Sequence, residues 1–177
     1  MAGMATIRAR RDDHEMDTPS ARHATILAVT TEDDSHAAVR KRAAEVGRQA
    51  GSTVILWAAD AAIGPLESPL PTAWSGDGEQ DQFGERLGPN DLIAAGHERL
   101  AEQVGELRRD GVDAWAWLPD TADAAALANY AVEQGASLVL VSSADDDLMA
   151  DLRDADTRAD DGRGGGLRGL RVEAVPS

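Results

Sequence analysis

ATILAVTTEDDSHAAVRKRAAEVGRQAGSTVILWAAD, residues 24–60, sets the architecture of this chain. It opens on a short apolar run, Ala24 to Thr30, rich in β-branched residues and with no polar alternation, as a strand buried on both faces requires. After the polar stretch Thr31 to Asp34, apolar side chains at Val39, Ala43, Val46 and Ala50 recur at helical spacing. Asp34 or Ser35 is placed to cap the start, and Gly51 to end the helix in a left-handed turn. Ser52 to Ala58 is a second apolar run of the same kind. Strand, helix and strand in under forty residues form a βαβ unit, whose crossover is right-handed.

Working outward, residues 1–22 mix Arg, Asp, Glu and His with no apolar period and read as a flexible leader; the domain is expected to span 23–177. Downstream, 60–89 holds Pro65, Pro69, Pro71 and Pro89 and several glycines, and reads as a long loop in which Trp74 covers a nearby apolar surface. A second helix is predicted from Asn90 or Asp91 to about Arg109, with Ile93, His97, Leu100, Val104 and Leu107 facing inward. Val112 to Leu118 is a third strand with Trp115 and Trp117 on one face. A third helix from about Thr121 carries Leu127, Tyr130 or Ala131, and Val132, and stops at Gly135. Ser137 to Val141 is a fourth strand. The acidic and Gly-rich segment 144–169 follows, with Leu148 and Leu152 lining a fourth helix and Val172 to Val175 as a last strand. The order predicts a single-domain α/β fold, a doubly wound parallel five-stranded sheet.

The 177 residues carry 32 acidic and 17 basic side chains, a formal charge of −15, so an acidic field opposes nucleic acid and anionic lipid. There is no cysteine, which removes disulfides, thiolate catalysis and Cys-ligated metal sites. No apolar run approaches a membrane span and no signal-like stretch follows the N-terminal arginines, so a cytoplasmic protein is expected. The only lysine is Lys41.

In an open α/β sheet, ligands sit beyond the carboxyl ends of the strands, here Thr30 to Asp34, Ala58 to Asp60, Pro119 to Asp123 and Ser142 to Asp147. The run from Ile26 to Asp60, and TADAAALANYAVEQGASLVLVSS at 121–143, resemble the first βαβ unit and the third helix with fourth strand of the universal stress protein family. The resemblance covers roughly 24–60 and 90–156 and implies an adenine-nucleotide α-hydrolase-like sheet, a role in stress response, and a homodimer pairing through the last strand, Arg171 to Val175. In nucleotide-binding members, an Asp ends strand one, and strand four leads into G-x-x-G, nine residues, then G-[ST], whose glycines admit phosphate to backbone amides.

Set on that pattern, the strand-one Asp falls at Thr30, the three glycines at Ser142, Asp145 and Ala155, and the hydroxyl residue at Asp156. None of these residues is retained, and Asp145 to Asp147 put negative charge where phosphate would sit. One unit charge about 4 to 6 Å from a phosphate costs on the order of 1 to 4 kcal/mol near a surface. Thr30, Ser142, Ser143 and Asp145 are therefore the positions matching the family's nucleotide site, with ATP disfavoured and no cofactor expected. The function implied is a non-enzymatic module acting on an unidentified protein partner; the alternative is an ATP-binding protein with an unconventional pocket at the strand ends.

Other chemistries find little support. The aspartates of 144–163 lack calcium-loop spacing, so no metal is expected. A phosphoacceptor receiver would need a lysine after strand five, and none follows Lys41. An adenylating or pyrophosphatase-type enzyme would need a Gly-rich loop after strand one, where Thr30-Thr31-Glu32-Asp33-Asp34 stands instead. Ser142 and Ser143 have no G-x-S-x-G elbow and no histidine after them. His14, His23 and His36 read as surface residues, His36 beside the presumed ligand edge.

Overall fold

The computed structural model describes residues 24–61, 86–160 and 170–176, with 155–160 described by backbone alone. Ten elements follow in order: β1 (Thr25–Thr30), α1 (Ala37–Ala50), β2 (Thr53–Ala58), α2 (Pro89–Ala94), α3 (Glu98–Arg109), β3 (Ala114–Trp117), α4 (Ala124–Glu133), β4 (Ala136–Ser142), α5 (Asp146–Asp160) and β5 (Arg171–Val175). The strands form one parallel sheet in the order β3-β2-β1-β4-β5. All six residues of β1 and of β2 are buried, in keeping with their unbroken apolar runs.

The side-chain period of two divides each central strand between two cores. Ile26, Ala28, Val54 and Leu56 pack with Val39 and Ala43 of α1 and Leu100 and Val104 of α3. Leu27, Val29, Ile55, Trp57, Val139 and Val141 pack on the opposite face with Leu127 and Ala131 of α4 and Met149 and Leu152 of α5. Trp117 completes this second layer by stacking on Tyr130, ring centroids 4.8 Å apart at 11°, while Tyr130 tilts against Trp57 at 5.5 Å. The predicted doubly wound fold is therefore the observed one. It places a topological switch at the β1/β4 boundary, where the order reverses and a crevice opens at the strand ends.

The helices depart from expectation in detail. The single helix predicted from Asn90 to Arg109 is two, α2 and α3, because Gly96 takes a left-handed φ of 86° that interrupts the helical backbone. Across the break Leu92 is buried, Ile93 is 53% exposed, and His97 stands at the N-cap position of α3, half-exposed instead of facing the core. In α4, Val132 is exposed and Tyr130 and Ala131 carry the packing. Helix α1 starts after His36, not Asp34 or Ser35, and its inward residues are Val39, Ala43, Ala44 and Gly47, leaving Ala50 exposed; Gly51 ends it at φ 61° as predicted. The fourth predicted helix is α5, with Met149 and Leu152 buried and Leu148 half-buried.

The two sheet edges differ. Leu87 forms an antiparallel bridge to Ala116 on the outer side of β3, with N–H···O distances of 2.8 and 2.9 Å. On β5, Glu173 accepts from Arg42 Nε of α1 at 2.9 Å, a bond that raises the Arg42 guanidinium further above its ordinary range, and pairs with Arg171 at 3.1 Å. The leader 1–22, Trp74 with most of the loop 60–89, and 161–169 lie outside the described residues. Among the described residues no helix is long and apolar enough to cross a membrane.

Candidate functional site

Beyond the carboxyl ends of β1, β2 and β4 lies a cleft of about 570 Å³. Its walls are the β1–α1 loop (Thr31, Ser35, His36), the residues after β2 (Ala59, Asp60), Ala122 ahead of α4, and the turn from β4 into α5 (Ala144 to Leu148). All four segments belong to the strand ends singled out by the sequence.

The β1–α1 loop is held from several directions. Asp34 adopts φ 62°, a left-handed conformation tolerated by Asp, and its carboxylate binds Arg40, which also reaches Glu106 of α3 at 3.1 Å. The Thr31 and Ser35 hydroxyls are 2.8 Å apart. Bonds from the Thr31 hydroxyl and from the Ser35 amide, at 3.0 Å, hold the Asp33 carboxyl below the ordinary carboxylate range. The Glu32 amide donates to both oxygens of Asp60 at 2.9 Å, and the Glu32 carboxylate meets His97 Nδ1 at 2.5 Å. The cleft therefore has a braced rim.

Across the cleft, His36 Nε2 stands 3.3 Å from Asp145 Oδ2. His36 is 9% exposed, and its Nδ1 is buried with no hydrogen-bond partner among the described residues. The sequence reading of His36 as a surface residue is thus corrected. One residue it meets, Asp145, lies 109 positions further along the chain, and no local pattern reports that contact.

The four positions drawn from the family pattern separate in space. Asp145 lines the cleft. Thr30 does not: it is fully buried and donates to Gln103 Oε1 of α3 at 2.8 Å, while Gln103 Nε2 donates to the Thr31 carbonyl at 2.8 Å. Ser142 is buried at the end of β4, its Oγ accepting from the Ala144 amide at 3.2 Å, and exposed Ser143 sends its amide to the Val175 carbonyl at 2.9 Å. Ala155 and Asp156 fall within α5, which begins immediately after Asp145. Only three residues, Ser143 to Asp145, separate β4 from that helix.

Four carboxylates, Asp60, Asp145, Asp146 and Asp147, line the cleft, with His36 as its one basic side chain among the described residues. Asp60 is engaged by the Glu32 amide and Asp145 by His36, whereas Asp146 and Asp147 are exposed in the first turn of α5. Among the described residues no three carboxylates or imidazoles converge as a metal site would require.

No protein-family model matches the sequence, and no curated protein matches it. Among solved structures, the chain is similar to a universal stress protein from Archaeoglobus fulgidus: 15% identity, 86% of this chain and 93% of that one covered, and a TM-score of 0.45.

Proposed function

We propose that this chain is a universal stress protein-like, non-enzymatic module of the stress response, working in the cytoplasm through protein association, with ATP binding lost or weakened. The carrying observation is the turn from β4 into α5. The family pattern requires a glycine-lined stretch in which backbone amides face phosphate; here α5 starts at Asp146 and the turn presents Asp145, Asp146 and Asp147 to the cleft. Each such charge within about 4 to 6 Å of a phosphate costs on the order of 1 to 4 kcal/mol. Thr30, at the position of the adenosine-contacting Asp, is committed to Gln103.

The non-enzymatic reading draws on the same wall. The His36 Nε2 faces a carboxylate instead of a hydroxyl, and the Ser35 hydroxyl is paired with that of Thr31. Among the described residues no hydroxyl is hydrogen-bonded to His36, so a nucleophile already paired with its base is not formed there.

Thermal unfolding of the full chain with MgATP, MgADP and AMP tests the proposal. A ligand present at about 100 times its Kd adds about 2.7 kcal/mol and raises the midpoint by several degrees. The expected result at 100 micromolar nucleotide, about 100 times a micromolar Kd, is an unchanged midpoint. A rise that disappears in Asp145→Ala would overturn it in favour of an unconventional nucleotide pocket at the strand ends.

A further inference from the structure

We propose that His97 is a site of covalent modification, its Nε2 adding to an α,β-unsaturated carbonyl compound with Glu32 as the positioning residue behind it. The inference is independent of the proposed protein association and of whether the cleft takes nucleotide.

The sequence narrows the choice of nucleophile. Electrophiles of this class are captured by thiolates, amines and imidazoles, and the chain holds no cysteine, one lysine and four histidines. A lysine amine near neutral pH carries a proton in place of the lone pair. Of the two histidines among the described residues, His36 is 9% exposed and faces Asp145, whereas the His97 side chain keeps 19% of its surface in solvent.

Geometry then separates the two nitrogens of His97. Nδ1 is hydrogen-bonded to Glu32 Oε1 at 2.5 Å, and an ionised carboxylate only accepts, so Nδ1 carries the shared proton. In the neutral ring this leaves the lone pair on Nε2. Nε2 has no hydrogen-bond partner among the described residues, and the one polar side-chain atom buried there without a partner is His36 Nδ1, so Nε2 of His97 is open to solvent. Both members of the pair are held in place. The His97 amide donates to the Leu92 carbonyl at 2.8 Å and its carbonyl accepts from the Ala101 amide at 3.0 Å, while the Glu32 amide is fixed on Asp60. A carboxylate on one nitrogen of an imidazole orients the ring and stabilises the positive charge that develops as the other nitrogen forms a bond.

In the addition, Nε2 attacks the β-carbon and the C=C π pair moves toward the carbonyl to give an enolate. The Nδ1 proton passes to Glu32 and on to solvent, and the enolate takes up a proton at the α-carbon. The product is a neutral Nε2-alkylated imidazole, formed with no leaving group. Its Nδ1 has no proton, so Glu32 loses its donor and the β1–α1 loop loses one of its braces.

Methyl vinyl ketone added to the full chain at about pH 8, where an ordinary imidazole is neutral, tests the assignment by peptide mapping in a mass spectrometer at timed intervals. His97 is expected to label faster than His14, His23, His36 and Lys41, and faster than the same residue in the chain unfolded by guanidinium chloride. Glu32→Gln keeps an acceptor beside Nδ1 and removes its charge, and is expected to slow labelling of His97 by about tenfold. An unlabelled His97, labelling led by another of these side chains, a rate no higher than in the unfolded chain, or a rate unchanged in Glu32→Gln would each overturn the proposal.

Discussion

Gln103 joins parts of the chain that are far apart in sequence. Buried on α3, it accepts from the Thr30 hydroxyl and donates to the Thr31 carbonyl, so the end of β1 is fixed through one amide group. Replacing it by an apolar residue of similar size strands the buried Thr30 hydroxyl and removes the donor to the half-buried Thr31 carbonyl. Gln103→Leu is expected to lower stability by about 1.5 to 4.5 kcal/mol, from the stranded Thr30 hydroxyl at about 1 to 3 kcal/mol and the lost bond to the half-buried Thr31 carbonyl at about 0.5 to 1.5 kcal/mol, with an unchanged denaturant slope in urea unfolding. A loss below about 0.5 kcal/mol would mean that water satisfies both groups in the variant. The family pattern pointed to Thr30 at the end of β1, but that its hydroxyl is buried and committed to α3 was not legible, since this depends on a partner 73 residues away. The same holds for Asp60 beneath the Glu32 amide and for His36 beside Asp145. Polar side chains at the ends of strands can be located from sequence; their partners cannot, because tertiary packing selects among many local options of similar energy.

Among the elements, strands were legible because both faces of β1, β2 and β4 are covered, and an unbroken apolar run has few other uses. Helix α1 was legible from its period and from Gly51. The α2–α3 break was not, since a single glycine is tolerated inside a helical pattern and only the observed φ of 86° at Gly96 shows that this one is a hinge in the chain path. Two other glycines lie within helices and differ in their surroundings. A Cβ on Gly47 of α1 would stand 2.9 Å from Val54 Cγ2 and 3.1 Å from Val112 Cγ1, so the helix approaches β2 more closely than alanine permits; a Cβ on Gly105 of α3 would meet nothing within 4 Å. Gly105→Ala is expected to raise stability by about 0.5 to 1 kcal/mol through helix propensity. Gly47→Ala gains the same propensity against overpacking of about 1 to 3 kcal/mol, for a net loss of up to about 2 kcal/mol. Thermal midpoints of both variants, measured side by side, should fall on opposite sides of the parent; a gain at both would show that α1 can move outward freely.

For the whole molecule, a parallel sheet with helices on both faces gathers the acidic loops at one end and leaves β5 as the last strand, paired on one side by β4 among the described residues. Pairing of two copies through β5 is the proposed mode of association. Sedimentation should then give twice the 18.6 kDa chain mass, and Ala174→Asp, at an exposed position of β5, should return the chain to its monomer mass with its circular dichroism intact. A parent that sediments as a monomer at tens of micromolar, well above the Kd of a stable pair, would refute the pairing. The other edge behaves differently. Leu87 already pairs with Ala116 on the outer side of β3, so the middle of that edge is occupied among the described residues. If two copies join through β5 as proposed, with Leu87 already seated beside β3, the pair has no second free margin among the described residues, and assembly would end at two instead of running on as a fibril template.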